Sequence, residues 1–189
     1  VRSGVDVNDN GSLDLSGPDR VSESDSFFEK DASNDWWQVS VSKLYAKANS
    51  TAITTNSIQK VLIGGANPPG EPCIVSKTIS IDLLGNQTVS QTAVDRNNKT
   101  ATQTVIYPDS TNSAVSTTIN GVLVSSRTKT GLEYSFSYDA LERQTGVTDP
   151  RTGTSVTHYN EKGQVDWVED AASNRTTFGY EPETGRRIS

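Results

Sequence analysis

The sequence predicts an all-β protein of repetitive antiparallel β-hairpins forming an extended sheet. Three observations carry that expectation. Apolar and polar residues alternate in short runs, turn-forming residues separate those runs, and no stretch sustains a 3.6-residue apolar period. Only 32% of the 189 residues are hydrophobic and mean hydropathy is −0.55, below the roughly 45–50% apolar share of an ordinary globular domain. A ladder of β-branched residues backed by Thr and Ser needs no thick core, so composition and pattern agree.

Residues 1–35 read as an acidic segment. The first forty residues hold nine acids and three bases, whereas the remainder carries fourteen of each, so the net charge of −6 belongs to one end. A chain with this balance lacks the basic face that displaces counterions from phosphates, which excludes a nucleic-acid binder. No run of about 18 apolar residues is present to span a membrane. The chain contains no Met and reads as a piece of a longer polypeptide. Within the acidic segment, Asp6, Asn8, Asn10, Ser12 and Asp14 alternate around Gly11. Oxygen ligands at such spacing suit Ca²⁺, and the pattern resembles the first nine positions of an EF-hand or dockerin-type loop. Its twelfth position is Gly17 instead of an acid. The alternative is an Asp/Asn-rich turn whose side chains cap their own backbone.

Residues 36–131 form a β-strand region. Trp37, Val39 and Val41 share one parity with Gln38, Ser40 and Ser42 on the other, and the alternation continues through Lys43 and Tyr45 toward Asn49. Further runs are 59–63, 76–83, 100–107, 114–119, 122–128 and 132–138. Turn signals lie between them at Gly64-Gly65, Pro68-Pro69-Gly70, Leu84-Gly85-Asn86, Asn97-Asn98, Pro108-Asp109 and Asn120-Gly121. Asn-Gly between strand-like residues is a strong hairpin signal, because both turn positions require positive φ.

Residues 132–189 repeat. Tyr138, Tyr159 and Tyr180 recur at 21-residue intervals. Tyr138-Asp139 leads to Arg143 and then Asp149-Pro150 and Gly153; Tyr159-Asn160 leads to Gly163, Val168 and Asp170; a third unit runs from Tyr180 to Gly185. Twenty-one residues accommodate two strands and two turns, and each such hairpin needs neighbours to pair its edges. These residues resemble the YD repeats of the RHS family, with Ile81-Asp82 through Asn86 and Ile119-Asn120-Gly121 as degenerate units. Glu142 stands where the family usually has Gly, and Asn160 and Glu181 where it has Asp.

The resemblance implies a spiralling sheet that forms a section of a β shell in a secreted or cell-surface protein. It implies as partners the remainder of the repeat array and an enclosed C-terminal effector, as in toxin delivery. The family's older description implies carbohydrate binding through aromatics, with Trp36, Trp37 and Trp167 as candidates beside the repeat tyrosines. Sheet packing is the competing role for them. In some family members an aspartyl autoprotease releases the C-terminal segment, but Asp149-Pro150 reads as the repeat's own turn. His158 is the single histidine and Cys73 the single cysteine, so neither a zinc site nor an intrachain disulfide can be composed. No catalytic residues are assigned. Asn49, Asn86, Asn98 and Asn174 begin glycosylation sequons, which an Asn/Ser/Thr-rich chain generates by chance.

Overall fold

The computed structural model describes residues 1–46, 50–65, 71–109 and 113–188. Those residues contain fourteen strands: β1 (Arg2–Val5), β2 (Arg20–Lys30), β3 (Trp36–Tyr45), β4 (Thr55–Gly64), β5 (Cys73–Ile81), β6 (Gln87–Asp95), β7 (Thr100–Ile106), β8 (Ala114–Ile119), β9 (Val122–Arg127), β10 (Glu133–Tyr138), β11 (Gln144–Asp149), β12 (Gly153–Tyr159), β13 (Val165–Glu169) and β14 (Arg175–Thr177). Each pairs antiparallel with its successor, giving one open sheet in sequence order. The all-β expectation holds, and no helix is found among the described residues. The Pro68-Pro69-Gly70 turn and Asn49 lie outside them.

Turn chemistry sets this order, since short connections force consecutive strands to pair. Asn120 and Gly121 adopt φ of 52° and 88°, the two positive values that a two-residue hairpin turn demands. Gly85 takes φ of 84° in the turn between β5 and β6. Two long strands lie where the sequence reading placed none. In β2, Val21, Glu23, Asp25, Phe27 and Glu29 alternate with Ser22, Ser24, Ser26 and Phe28, so the strand period is present but charged residues occupy it. The sheet tolerates them because Arg2 pairs with Glu23 and Lys60 with Glu29, each at 2.6 Å. In β6 the run Gln87–Asp95 is polar, and its two long neighbours supply the pairing.

The sheet has little core. Val21, Trp37, Val39 and Tyr45 are the buried hydrophobic residues, with Asp19 the buried charged one. All lie between residues 19 and 45. The more covered face changes sides along the sheet. In β3 the covered residues are Trp37, Val39, Val41, Lys43 and Tyr45, and register carries that face through Lys60, Ile79, Val89 and Ile106. The same face continues as Thr102, Thr117, Ser125, Ser135, Thr148 and Thr154, a hydroxyl row across six strands. By β10 the covered residues are Tyr134, Phe136 and Tyr138, on the opposite face.

Candidate functional site

The repeat places its side chains in a regular lattice. The Tyr138 hydroxyl donates to the Leu123 carbonyl at 2.7 Å, Tyr159 to Gln144 at 3.1 Å and Tyr180 to Val165 at 2.9 Å, each acceptor fifteen residues earlier. Tyr138 and Tyr159 both sit at register shifts against the following strand. Every repeat tyrosine thus ties its own strand to the preceding hairpin through a polar tip on an apolar ring.

One turn design recurs along the chain. Asp31, Asp82, Asp139, Asn160 and Asp170 each accept, through one side-chain oxygen, the backbone N–H groups two and four residues later, at 2.8–3.0 Å. This is an Asx turn closing a hairpin. The residue three positions on adopts positive φ in all five: Asn34, Gly85, Glu142, Gly163 and Ser173. The remaining side-chain polar atom pairs nearby. Asp139 Oδ2 accepts from Arg143 Nε at 2.6 Å, and Asn160 donates to Gln164 Oε1 at 3.0 Å. Sequence reading found the Asp of each Tyr-Asp pair but missed that Asp31 and Asp82 build the same turn. The discoverable signal was an Asp or Asn, two free positions, a residue tolerant of positive φ, and a polar fifth residue.

Neighbouring repeats also lock through position five. The Arg143 guanidinium lies 4.5 Å from the ring centroid of Tyr159. A Cβ on Gly163 would come within 3.2 Å of Arg143 Nη1, and one on Gly185 within 3.1 Å of Gln164 Nε2. At the alternate turn, Asp149 Oδ1 accepts the Arg151 N–H at 2.8 Å, and Gly153 opens the next strand with φ of 99°. Pro150 therefore lies inside a structural turn.

The calcium candidates occupy one connection between β1 and β2. Asp6 accepts the N–H groups of Asn10 and Gly11, Asn8 accepts that of Asn10, and Asn10 accepts that of Ser12. Asn10 and Ser12 in turn donate to the two oxygens of Asp14, at 3.0 and 3.3 Å. Sequence reading gave Asp19 no such role, yet it is 2% exposed and accepts from Val7 and Asp14 N–H at 2.8 and 2.9 Å. Those backbone hydrogen bonds, that from Asp14 foremost, hold its carboxyl below the ordinary value. Among the described residues no three His, Cys, Asp or Glu side chains converge to hold a metal ion.

The aromatic candidates separate. Trp37 is 4% exposed and its Nε1 donates to Asp31 Oδ2 at 2.9 Å. Trp167 stacks on His158 at 5.1 Å, and the Arg175 guanidinium lies 3.8 Å from its centroid. His158 also pairs with Asp166 at 3.1 Å. Trp36 is 46% exposed. Cys73 Sγ receives a hydrogen bond from Arg96 at 3.0 Å. The sequon residues Asn86, Asn98 and Asn174 each use the side-chain amide, the group a glycan would modify, to donate to Asp82, Asp95 and Asp170; Asn49 lies outside the described residues. No helix among the described residues is long and apolar enough to cross a membrane. No family model and no curated protein matches the chain.

Proposed function

We propose that this chain is a structural segment of an RHS/YD-repeat protein, part of a β-shell wall that encloses or presents a C-terminal effector. The observation that carries the reading is the threefold hydroxyl-to-carbonyl bond of Tyr138, Tyr159 and Tyr180, each spanning the same fifteen residues. A repeat whose conserved-spacing side chain serves only to bind its neighbour is a building unit. The near absence of a core supports the same role, since a thin wall is stabilised along the sheet and not through it. In this role the chemistry resides in the enclosed segment, and the protein acts outside the cell that makes it.

The test is imaging of the parent polypeptide by cryo-electron microscopy. A hollow strand-built shell containing this segment in its wall supports the reading; a solid domain, or a parent lacking further repeats, overturns it.

A further inference from the structure

The outer strand β1 covers only half of β2. Their register pairs Arg2 with Glu23, Ser3 with Ser22, Gly4 with Val21 and Val5 with Arg20, and Val1 and Ser24 exchange both backbone hydrogen bonds beyond that. From Asp25 to Lys30 the ladder of β2 toward β3 continues, while the outer side has no strand partner among the described residues. In an antiparallel ladder the residues that exchange bonds with one neighbour alternate. Because Ser24 faces outward, Ser26, Phe28 and Lys30 also direct their N–H and C=O groups outward. Ser26 N–H is taken up by its neighbour Asp25 Oδ1 at 2.9 Å.

The side chains at this open half specify a partner. Phe27 is 42% exposed and Phe28 64%. On one face the sequence runs Glu23, Asp25, Phe27, Glu29. Arg2 opposite Glu23 shows what the edge accepts, forming a 2.6 Å ion pair. Asp25 makes no ion pair among the described residues, and Glu29 is already matched by Lys60. An open depression of about 600 Å³ lies on this face where β1 stops, bounded by Arg2, Glu23, Asp25, Phe27, Val41 and Lys43.

We propose that Asp25–Lys30 is a β-augmentation site that receives an extended peptide strand carrying a Lys or Arg opposite Asp25 and apolar residues against Phe27 and Phe28. Backbone bonds to Phe28 and Lys30 supply affinity, and the cation facing Asp25 sets register and selectivity. This holds whether or not the chain belongs to a shell.

The test is titration calorimetry of the full chain with a seven-residue peptide alternating lysine and valine, beside a glutamate–valine counterpart. The basic peptide binds one to one, and the acidic one at least tenfold more weakly. Asp25→Lys weakens the basic peptide at least tenfold, whereas Glu161→Lys, the same charge change at a distant exposed turn, leaves it unaltered. Phe28→Pro abolishes binding while retaining the β2–β3 ladder, because only an outward N–H is removed. Hydrogen exchange provides a readout independent of these variants: the peptide slows the Phe28 and Lys30 amides. Equal binding of both peptides, insensitivity to Asp25→Lys, or unprotected amides overturns the proposal. A dimer in sedimentation that the peptide does not dissociate assigns the edge to a second copy and overturns it as well.

Discussion

Arg143 lies over the ring of Tyr159, the repeat tyrosine that follows it, while its own Nε is held by Asp139 Oδ2 at 2.6 Å. One side chain thus joins the turn of one repeat to the aromatic of the next. Gly163 lies against the same guanidinium. Gly163→Ala introduces a Cβ at φ of 81° and displaces Arg143, so it loses both backbone ease and the ring contact. A double-mutant cycle of Arg143→Ala with Gly163→Ala, followed by urea unfolding, therefore gives a combined loss smaller than the sum of the single losses. Additive losses would show that the guanidinium and the glycine act separately.

The tyrosine hydroxyls rank by geometry. Tyr138 and Tyr180 bond half-buried at 2.7 and 2.9 Å, whereas Tyr159 bonds in an exposed position at 3.1 Å. Tyr138→Phe leaves the Leu123 carbonyl without its partner and costs about 1 kcal/mol. Tyr159→Phe costs less, because water reaches Gln144. Chemical denaturation of the three Tyr→Phe variants, with Tyr159→Phe the mildest, checks the ranking.

Glu142 occupies the left-handed position of its turn at φ of 61°, where Gly85 and Gly163 stand in equivalent turns. An L-residue there costs roughly 1–2 kcal/mol relative to glycine, offset in part by the greater freedom that glycine gains on unfolding. Glu142→Gly is expected to stabilise the protein by about 0.5–1 kcal/mol, read as a higher urea midpoint at unchanged slope. A lower midpoint would mean that the Glu142 side chain makes a compensating interaction.

The hairpins after Ile81 were legible because Asn120-Gly121, Gly85 and the 21-residue tyrosine spacing are local signals. The strand β2 was not, since Glu23 and Glu29 look unfit for a covered face until Arg2 and Lys60 arrive from other strands. Pairing across strands also explains why Trp36 and Trp37 could not be told apart. Alternation gives them opposite faces, but only the fold shows that one face is covered by Lys77 and tied to Asp31. For the Asp6–Asp14 loop, sequence supplied the spacing, while the anchoring by Asp19 needs two backbone donors that only the folded connection brings together.

Acid acts on the turns through their carboxylates. Asp31, Asp82, Asp139 and Asp170 all have pKa values lowered from the ordinary 3.8, chiefly by side-chain hydrogen bonds from Trp37, Asn86, Arg143 and Asn174 respectively. A carboxyl whose pKa falls on folding stabilises the fold above its unfolded value and loses that contribution as pH drops through the folded value. Stability should therefore be level from neutral pH to about pH 5 and fall below pH 4. Asn160 builds the same turn with a neutral amide, so Asp139→Asn keeps the turn but gives up the charge. The variant is less stable than the parent at pH 7, and the difference narrows toward pH 2.5. Urea midpoints measured across this range check it; a constant difference would mean that ionisation of Asp139 is irrelevant.

Trp36 and Trp37 are neighbours with opposite expected behaviour. Trp37 is buried on the covered face, with its indole N–H bound to Asp31 and Lys77 Nζ 5.7 Å from its ring centroid. Trp37→Ala removes a large buried ring and costs about 3 kcal/mol. Trp37→Phe keeps most of the packing but leaves Asp31 without its indole donor, so it falls between alanine and the parent. Trp36 is 46% exposed, and Trp36→Ala changes stability by about 0.5 kcal/mol or less. Any loss of glycan binding on Trp36→Ala would therefore report on recognition, whereas loss on Trp37→Ala would report on folding. Thermal denaturation of the three variants, alongside a glycan array on each, separates the two; equal destabilisation by Trp36→Ala and Trp37→Ala would contradict the assignment of faces in β3.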